Sequence, residues 1–240
     1  LRNTKDLALD LDKLKLHILV YGISGTGKTT FAGTFPKPYF FDFDRGMLSL
    51  RGQDISYETY LDEDLTRPDA YRRFLEQMHR FKKSLNGFET IVVDSLTTLS
   101  ESMMYHIQFL NGTITKQPTL QDWGMGVAKL RDLFHEIMAF DCHTIVTAHE
   151  EMIKDELSGE IVNRPLVIGQ KLPPRIPLWF DEIYRAQVGR DKNRNPVYQL
   201  LTTAMRRYTA KSRMNGKLKC FEELEVPDYK SLMKKIKGGE

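Results

Sequence analysis

The chain has 240 residues, of which 41% are hydrophobic and 28% charged, and its formal net charge is +3. That balance excludes a disordered or fibrous chain, and the length suits one large α/β domain with a sizeable core. No stretch approaches the run of about eighteen apolar residues that a membrane helix needs, so no membrane partner is expected.

The first twelve residues are polar and mixed in charge, which reads as no signal peptide. Leucines at 7, 9, 11, 14 and 16 are too irregular to assign, and residues 1–14 are set apart as an N-terminal extension. Leu16 to Tyr21 is an apolar, β-rich run. Directly after it comes Gly22-Ile23-Ser24-Gly25-Thr26-Gly27-Lys28-Thr29, the spacing of a phosphate-binding P-loop. Its glycines let the backbone curl and turn N–H groups inward. The helix expected from Thr30 to Phe35, stopped by Pro36, adds positive charge at its N-terminus. Lys28 is placed to reach the β- and γ-phosphates, and Thr29 to offer its hydroxyl to Mg²⁺. The expected nucleotide-binding set is Gly22, Ser24, Gly25, Thr26, Gly27, Lys28, Thr29 and Thr30. No GTPase-type N-K-x-D signature is present, so ATP with Mg²⁺ is the expected ligand.

Tyr39 to Asp44 reads as a second strand with acids at its exit, Asp42 and Asp44 sharing one side. Asp44, nearer the sheet edge where ligands bind, is the candidate to orient an attacking water; a solvated strand exit is the plain alternative. Ile55 to Tyr60 alternates weakly. A helix follows, with Thr66 as N-cap, Pro68 near its first position and Asn86-Gly87 at its end. Glu89 to Ser95 has a continuous β-branched centre, the mark of a buried parallel strand. Asp94 at its end stands where a P-loop protein keeps its Mg²⁺ carboxylate; the alternative is that Asp94 or Ser95 caps the next helix. Leu96 to Leu110 and Gln121 to Phe140 read as helices around a polar loop. Thr144 to Ala148 reads as a further buried strand ending at His149, which is placed either to sense the γ-phosphate or simply to pack.

Beyond Ala148 the pattern changes. Met152 to Ile168 reads as a hairpin turning at Ser158-Gly159. Glu182 to Val188 and Val197 to Ala204 read as antiparallel strands, and Tyr208 to Ser212 as a last one. Residues 221–240 read as a charged tail with one short helix. Residues 164–219 hold thirteen Lys/Arg against three Asp/Glu, which suggests a basic surface or a solvated face. Cys142 and Cys220 have no metal-ligand spacing, and a reduced, cytoplasmic setting fits them.

In their order along the chain these segments resemble the RecA-type recombinases. Phe40-Phe41-Asp42-Phe43-Asp44 resembles their second strand with its catalytic acid, although Asp44 stands where a glutamate is usual. Thr90 to Leu96 resembles their Walker B segment. His149 resembles their γ-phosphate sensor, and Lys211-Ser212-Arg213 the basic pair that reaches a neighbouring subunit's ATP. Thr147 to Glu150 and Ala210 to Arg213 more closely resemble the phage RecA-like ATPases of the Sak-type annealing group. The resemblance implies an α/β RecA-like P-loop NTPase core over residues 15–220, with a mainly parallel sheet flanked by helices and antiparallel C-terminal strands.

It also implies an ATPase with Lys28, Asp44, Asp94, His149, Lys211 and Arg213 in catalysis. Mg²⁺ is expected on Thr29 and Asp94, and ATP at an interface between self-associating subunits. Single-stranded DNA is the expected partner in recombination or annealing. DNA-contacting loops are expected at Asn111–Asp122 and Glu151–Arg175, with Arg164, Lys171 and Arg175 on phosphates. Trp179 or Phe180 is a candidate to stack a base, with core packing as the alternative. A nucleotide switch that binds a protein, and a small-molecule P-loop kinase, are the competing functions.

Overall fold

In the computed structural model, residues 13–154, 159–169, 173–205, 207–215 and 219–238 are described. The sheet takes its shape from aliphatic runs that have no polar side to give to water. Strands β1 (His17–Tyr21), β2 (Pro38–Asp42), β4 (Thr90–Asp94) and β5 (His143–Ala148) are buried at almost every position. Successive side chains point to opposite faces of a strand. Leu19, Tyr21, Phe41, Ile91, Val93 and Val146 therefore enter one core, and Ile18, Val20, Phe40, Val92 and Ile145 enter another on the reverse face. Two-sided burial of this kind requires helices over both faces.

Helices α2 (Ala70–Lys83), α3 (Leu96–Leu110) and α4 (Leu120–Met138) cover the first face. Helix α1 (Lys28–Gly33), a 3-10 turn at Gly46–Leu50 and helix α5 (Tyr229–Ile236) cover the second. With β3 (Ser56–Thr59), β8 (Glu182–Arg190), β9 (Pro196–Leu201) and β11 (Leu224–Glu225), the sheet order is β11-β9-β8-β1-β5-β4-β2-β3. From β8 to β3 every neighbouring pair is parallel. The two-residue β10 (Lys211–Ser212) pairs antiparallel with β8, and β11 with β9. A separate hairpin joins β6 (Glu150–Lys154) to β7 (Ile161–Pro165).

This is the expected mainly parallel α/β sheet with antiparallel C-terminal strands, and it corrects several local expectations. Glu182–Arg190 pairs antiparallel with β9, as expected, and with β10, but on its other side it also runs parallel to β1, because a 3-10 turn at Pro173–Leu178 carries the chain back to the starting edge of the sheet. Thr66 does not cap α2. Asp62 accepts from the backbone N–H groups of Asp69 and Ala70 at 2.7 and 2.8 Å, while Thr66 sits in a turn closed by Asp64. Strand β2 ends at Asp42, so Asp42 and Asp44 do not share a side.

Residues 221–238 pack into the body of the fold rather than trailing from it. β11 extends the sheet, and Leu232, Met233 and Ile236 are buried with Phe31 and Phe35 in the second core. Asp228 caps α5 by accepting from Ser231 N–H at 2.8 Å. The leucines at 7, 9 and 11, and Ser158 of the expected turn, lie outside the described residues. Among the described residues no helix is long and apolar enough to cross a membrane.

Leu232 is fully buried, so Leu232→Ala should destabilise the whole domain by about 2–5 kcal/mol, as large-to-small core changes do. A urea titration checks this. An unchanged midpoint would mean that α5 is dispensable.

Candidate active site

The P-loop leaves the end of β1 with its backbone pressed against β8. A Cβ on Gly22 would lie 2.4 Å from the Ala186 carbonyl oxygen, so no larger residue fits. Lys28 is buried and donates from Nζ to the carbonyls of Gly22 and Ile23 at 2.9 and 3.0 Å. Burial pushes the Lys28 pKa down, opposed by Asp94, Asp44 and Glu150. Thr26 turns inward and donates to the Ile23 carbonyl at 2.8 Å, so its side chain closes the loop instead of facing a ligand. Ser24, Gly25, Gly27, Lys28, Thr29 and Thr30 line a cavity of about 980 Å³. That is ample for a nucleotide.

Three parallel strands deliver side chains to the same cavity. Asp94, at the end of β4, is only 2% exposed. It accepts from the Thr29 hydroxyl at 2.7 Å and from the Thr147 hydroxyl. Burial raises its pKa; the hydroxyls oppose the shift, and nearby Asp44 and Asp42 add to it. A buried carboxylate against the P-loop threonine is the donor set a Mg²⁺–nucleotide requires. Of the two expected cap candidates it is Ser95, not Asp94, that caps α3.

Asp44 lies in the loop after β2. Its Oδ2 meets His149 Nε2 at 2.9 Å, and its Oδ1 accepts from the Thr98 hydroxyl. Burial pushes the Asp44 pKa up, but hydrogen bonds from His149, Thr98 and Ser95 outweigh it and hold it below the ordinary value. His149, just past β5, donates its backbone N–H to Thr97 at 3.0 Å, and its carbonyl accepts from Leu166 N–H at 2.8 Å. The first turn of α3 thus touches the acid, the histidine and the Leu166 carbonyl.

Asp42 takes a different part. It is buried, accepting from Gly46 N–H at 2.9 Å and Thr59 Oγ1 at 3.0 Å, and so pins the loop that carries Asp44.

Lys211 and Arg213 do not reach this cavity. They sit at the starting edge of β8, opposite the P-loop, where Lys211 donates to the Pro177 carbonyl and Arg213 pairs with Asp181. The expected DNA loops fare unevenly. In Asn111–Asp122, Asp122 accepts from Asn111, Thr113 and Thr119, which knits the loop closed. In the second, Arg164 is committed to Glu151 at 2.7 Å, Arg175 is exposed, and Lys171 lies outside the described residues. Trp179 stacks on Phe134 and Phe180 is fully buried, so that aromatic pair is core.

Thr98, Thr147 and Tyr198 escaped the sequence reading. Tyr198, on β9, lines the cavity with Pro227 and lies over the P-loop, where a Cβ on Gly27 would come within 3.1 Å of its ring. It offers the flat face that a nucleotide base stacks on. The alternation Val197-Tyr198-Gln199 marks it only as one face of a strand. Thr147 was visible, since it stands beside the end of β5, but a threonine in a β-rich run reads as a strand former.

A family model described as an AAA domain (AAA_24) matches residues 14–214. No curated protein matches the chain. Among solved structures, an ATPase from the type III secretion system of pathogenic bacteria is similar at 14% identity and a TM-score of 0.47, over 72% of this chain and 52% of that one. The chain thus spans about half the length of that protein.

Because the folded-state pKa of Asp94 is raised, its carboxylate weakens the nucleotide-free fold above the unfolded pKa. Stability returns as pH falls through the folded value. Asp94→Asn should therefore raise unfolding stability without nucleotide by on the order of 1 kcal/mol while removing Mg²⁺-dependent stabilisation by ATP. Thermal scans with and without Mg²⁺–ATP check both halves.

Proposed function

The chain belongs to the AAA-domain family, and we propose that it is a Mg²⁺-dependent ATPase that acts on single-stranded DNA in recombination or strand annealing. The observation that carries the ATPase reading is the meeting of Lys28, Thr29, Asp94, Asp44 and His149 in one cavity. Thr29 and Asp94 would hold Mg²⁺, Lys28 would leave the loop carbonyls for phosphate oxygens, and Asp44 would orient the attacking water. Bound Mg²⁺ would neutralise charge on the phosphates. Each role needs only a side chain already at the cavity wall.

The DNA reading draws support from connectivity. His149 is followed at once by β6, and Glu150 forms a two-pronged ion pair with Arg185 at 2.6 and 3.1 Å. The Arg185 guanidinium lies 3.8 Å from the centre of the Tyr208 ring. A γ-phosphate that drew His149 from Asp44 would pull on the base of the β6–β7 hairpin, which carries Lys154. Nucleotide would thereby bias a surface element in the manner of a two-state switch. Lys211 and Arg213, on the far edge, fit a role toward a neighbouring subunit's nucleotide.

ATP turnover by the purified protein, with and without a short single-stranded DNA at low and high salt, tests this. Stimulation that fades with salt is expected, as phosphate contacts dictate, and Lys28→Ala should abolish turnover. Turnover indifferent to DNA would remove the DNA role. Specific activity that holds on dilution would remove the role of Lys211 and Arg213 between subunits.

One observation favours a second reading, a slowly hydrolysing switch that binds a protein. Both carboxylate oxygens of Asp44 already have a partner, Thr98 and His149, so a water must share them through the remaining lone pairs. Asp44→Asn separates the two. It should slow turnover by about 10²–10⁴-fold with ATP binding retained if Asp44 is the base, and change an already slow rate little if the protein is a switch.

A further inference from the structure

Arg45 stands between two residues of the site, Asp44 and Gly46. Its backbone is left-handed, with φ 56° and ψ 36°, a conformation that costs a residue with a side chain about 1–2 kcal/mol. The surroundings leave no alternative. Phe43 N–H donates to the Asp94 carbonyl at 2.6 Å, Gly46 N–H donates to Asp42, and a Cβ on Gly46 would come within 3.1 Å of Asp94 Oδ2. Glycine would take this turn without strain. An arginine here carries strain at the wall of a binding cavity, which directs attention to what its side chain does.

Arg45 lines the cavity and is exposed, and its side chain makes no hydrogen bond or ion pair among the described residues. The other cation at the cavity wall is Lys28, which faces the carboxylates of Asp44 and Asp94. A triphosphate with Mg²⁺ would add more negative charge than Lys28 offsets. Arg45 enters at the end of the cavity occupied by Asp44, His149 and Thr98, opposite Tyr198 on its separate strand. A planar, multiply donating guanidinium without a partner suits phosphate oxygens.

We propose that Arg45 contacts the terminal phosphate of a nucleoside triphosphate bound in its own chain, distinguishing triphosphate from diphosphate and offsetting charge during hydrolysis. This rests on the cavity being a nucleotide site. Unlike Lys211 and Arg213, Arg45 needs no second subunit to arrive there. It also lines a neighbouring cavity of about 440 Å³ with Arg51 and Tyr57, so its guanidinium has space to withdraw when no phosphate is present.

Arg45→Gly removes the side chain and keeps the left-handed turn, and thermal unfolding verifies the fold. The full chain is titrated with Mg²⁺–ATP, a non-hydrolysable ATP analogue and Mg²⁺–ADP, and its turnover is measured. Expected for Arg45→Gly are ADP affinity within about twofold of the original, at least tenfold weaker binding of both triphosphates, and turnover slowed on the order of 10³-fold. Arg45→Lys should recover triphosphate binding more than turnover, because the charge is kept and the fork is lost. Equal loss of ATP and ADP, or no loss of either, overturns the role of Arg45 and leaves the nucleotide site standing. An original protein that binds neither nucleotide, while Lys28→Ala behaves identically, overturns both.

Discussion

A carboxylate with 2% of its surface exposed, at the end of a strand made of Ile91, Val92 and Val93, must be compensated where it stands. Asp94 is compensated by two hydroxyls. One comes from Thr29 at the start of α1 and the other from Thr147 in the neighbouring strand. Those bonds tie the P-loop, β4 and β5 together at one point. The compensation is incomplete, since the pKa of Asp94 is still raised. A buried carboxylate whose charge is incompletely compensated suits a site that takes a cation.

Around that point a second layer holds the reactive loop. Asp42, buried beside Asp94 in the next strand, binds Gly46 N–H and the Thr59 hydroxyl. The loop from Phe43 to Gly46 is thereby closed over the Asp94 side of the cavity, with Asp44 against His149 and Thr98 and Arg45 in a left-handed turn. The acid and the histidine face each other at the cavity wall. The Thr97 hydroxyl, His149 and Leu166 are hydrogen-bonded to one another, so this pair is joined to the residue that follows the β6–β7 hairpin.

The sheet makes this precision affordable. Both of its faces are sealed, one by α2, α3 and α4 and the other by α1 and α5. Strand ends therefore have little freedom to move relative to one another, and side chains from β2, β4 and β5 meet to within hydrogen-bond distance. The closing helix comes from the last residues of the chain, whose charged surface (Lys230, Lys234, Lys235) hides an apolar stripe of Leu232, Met233 and Ile236.

Local sequence carried the P-loop, the order of strands and helices, and the candidates Asp94, Asp44 and His149. Each depends on short-range rules: glycine spacing, β-branched runs, and acids at strand exits. The first and last residues of Leu96–Leu110 were likewise legible, because Ser95 and Asn111 bound an apolar run. What local rules could not supply was pairing across distance. That Asp42 pins Gly46 while Asp44 faces His149, 105 residues away, depends on where β2 stops, which neighbouring strands decide. That residues 221–238 are core and not tail depends on a face of α1 left uncovered. The chain by itself determined that it binds a phosphate-bearing ligand and folds as an α/β sheet, since both follow from contiguous residues. Only the tertiary structure decided which acid, which histidine and which arginine share the cavity, since those neighbours are brought together by sheet order and not by sequence.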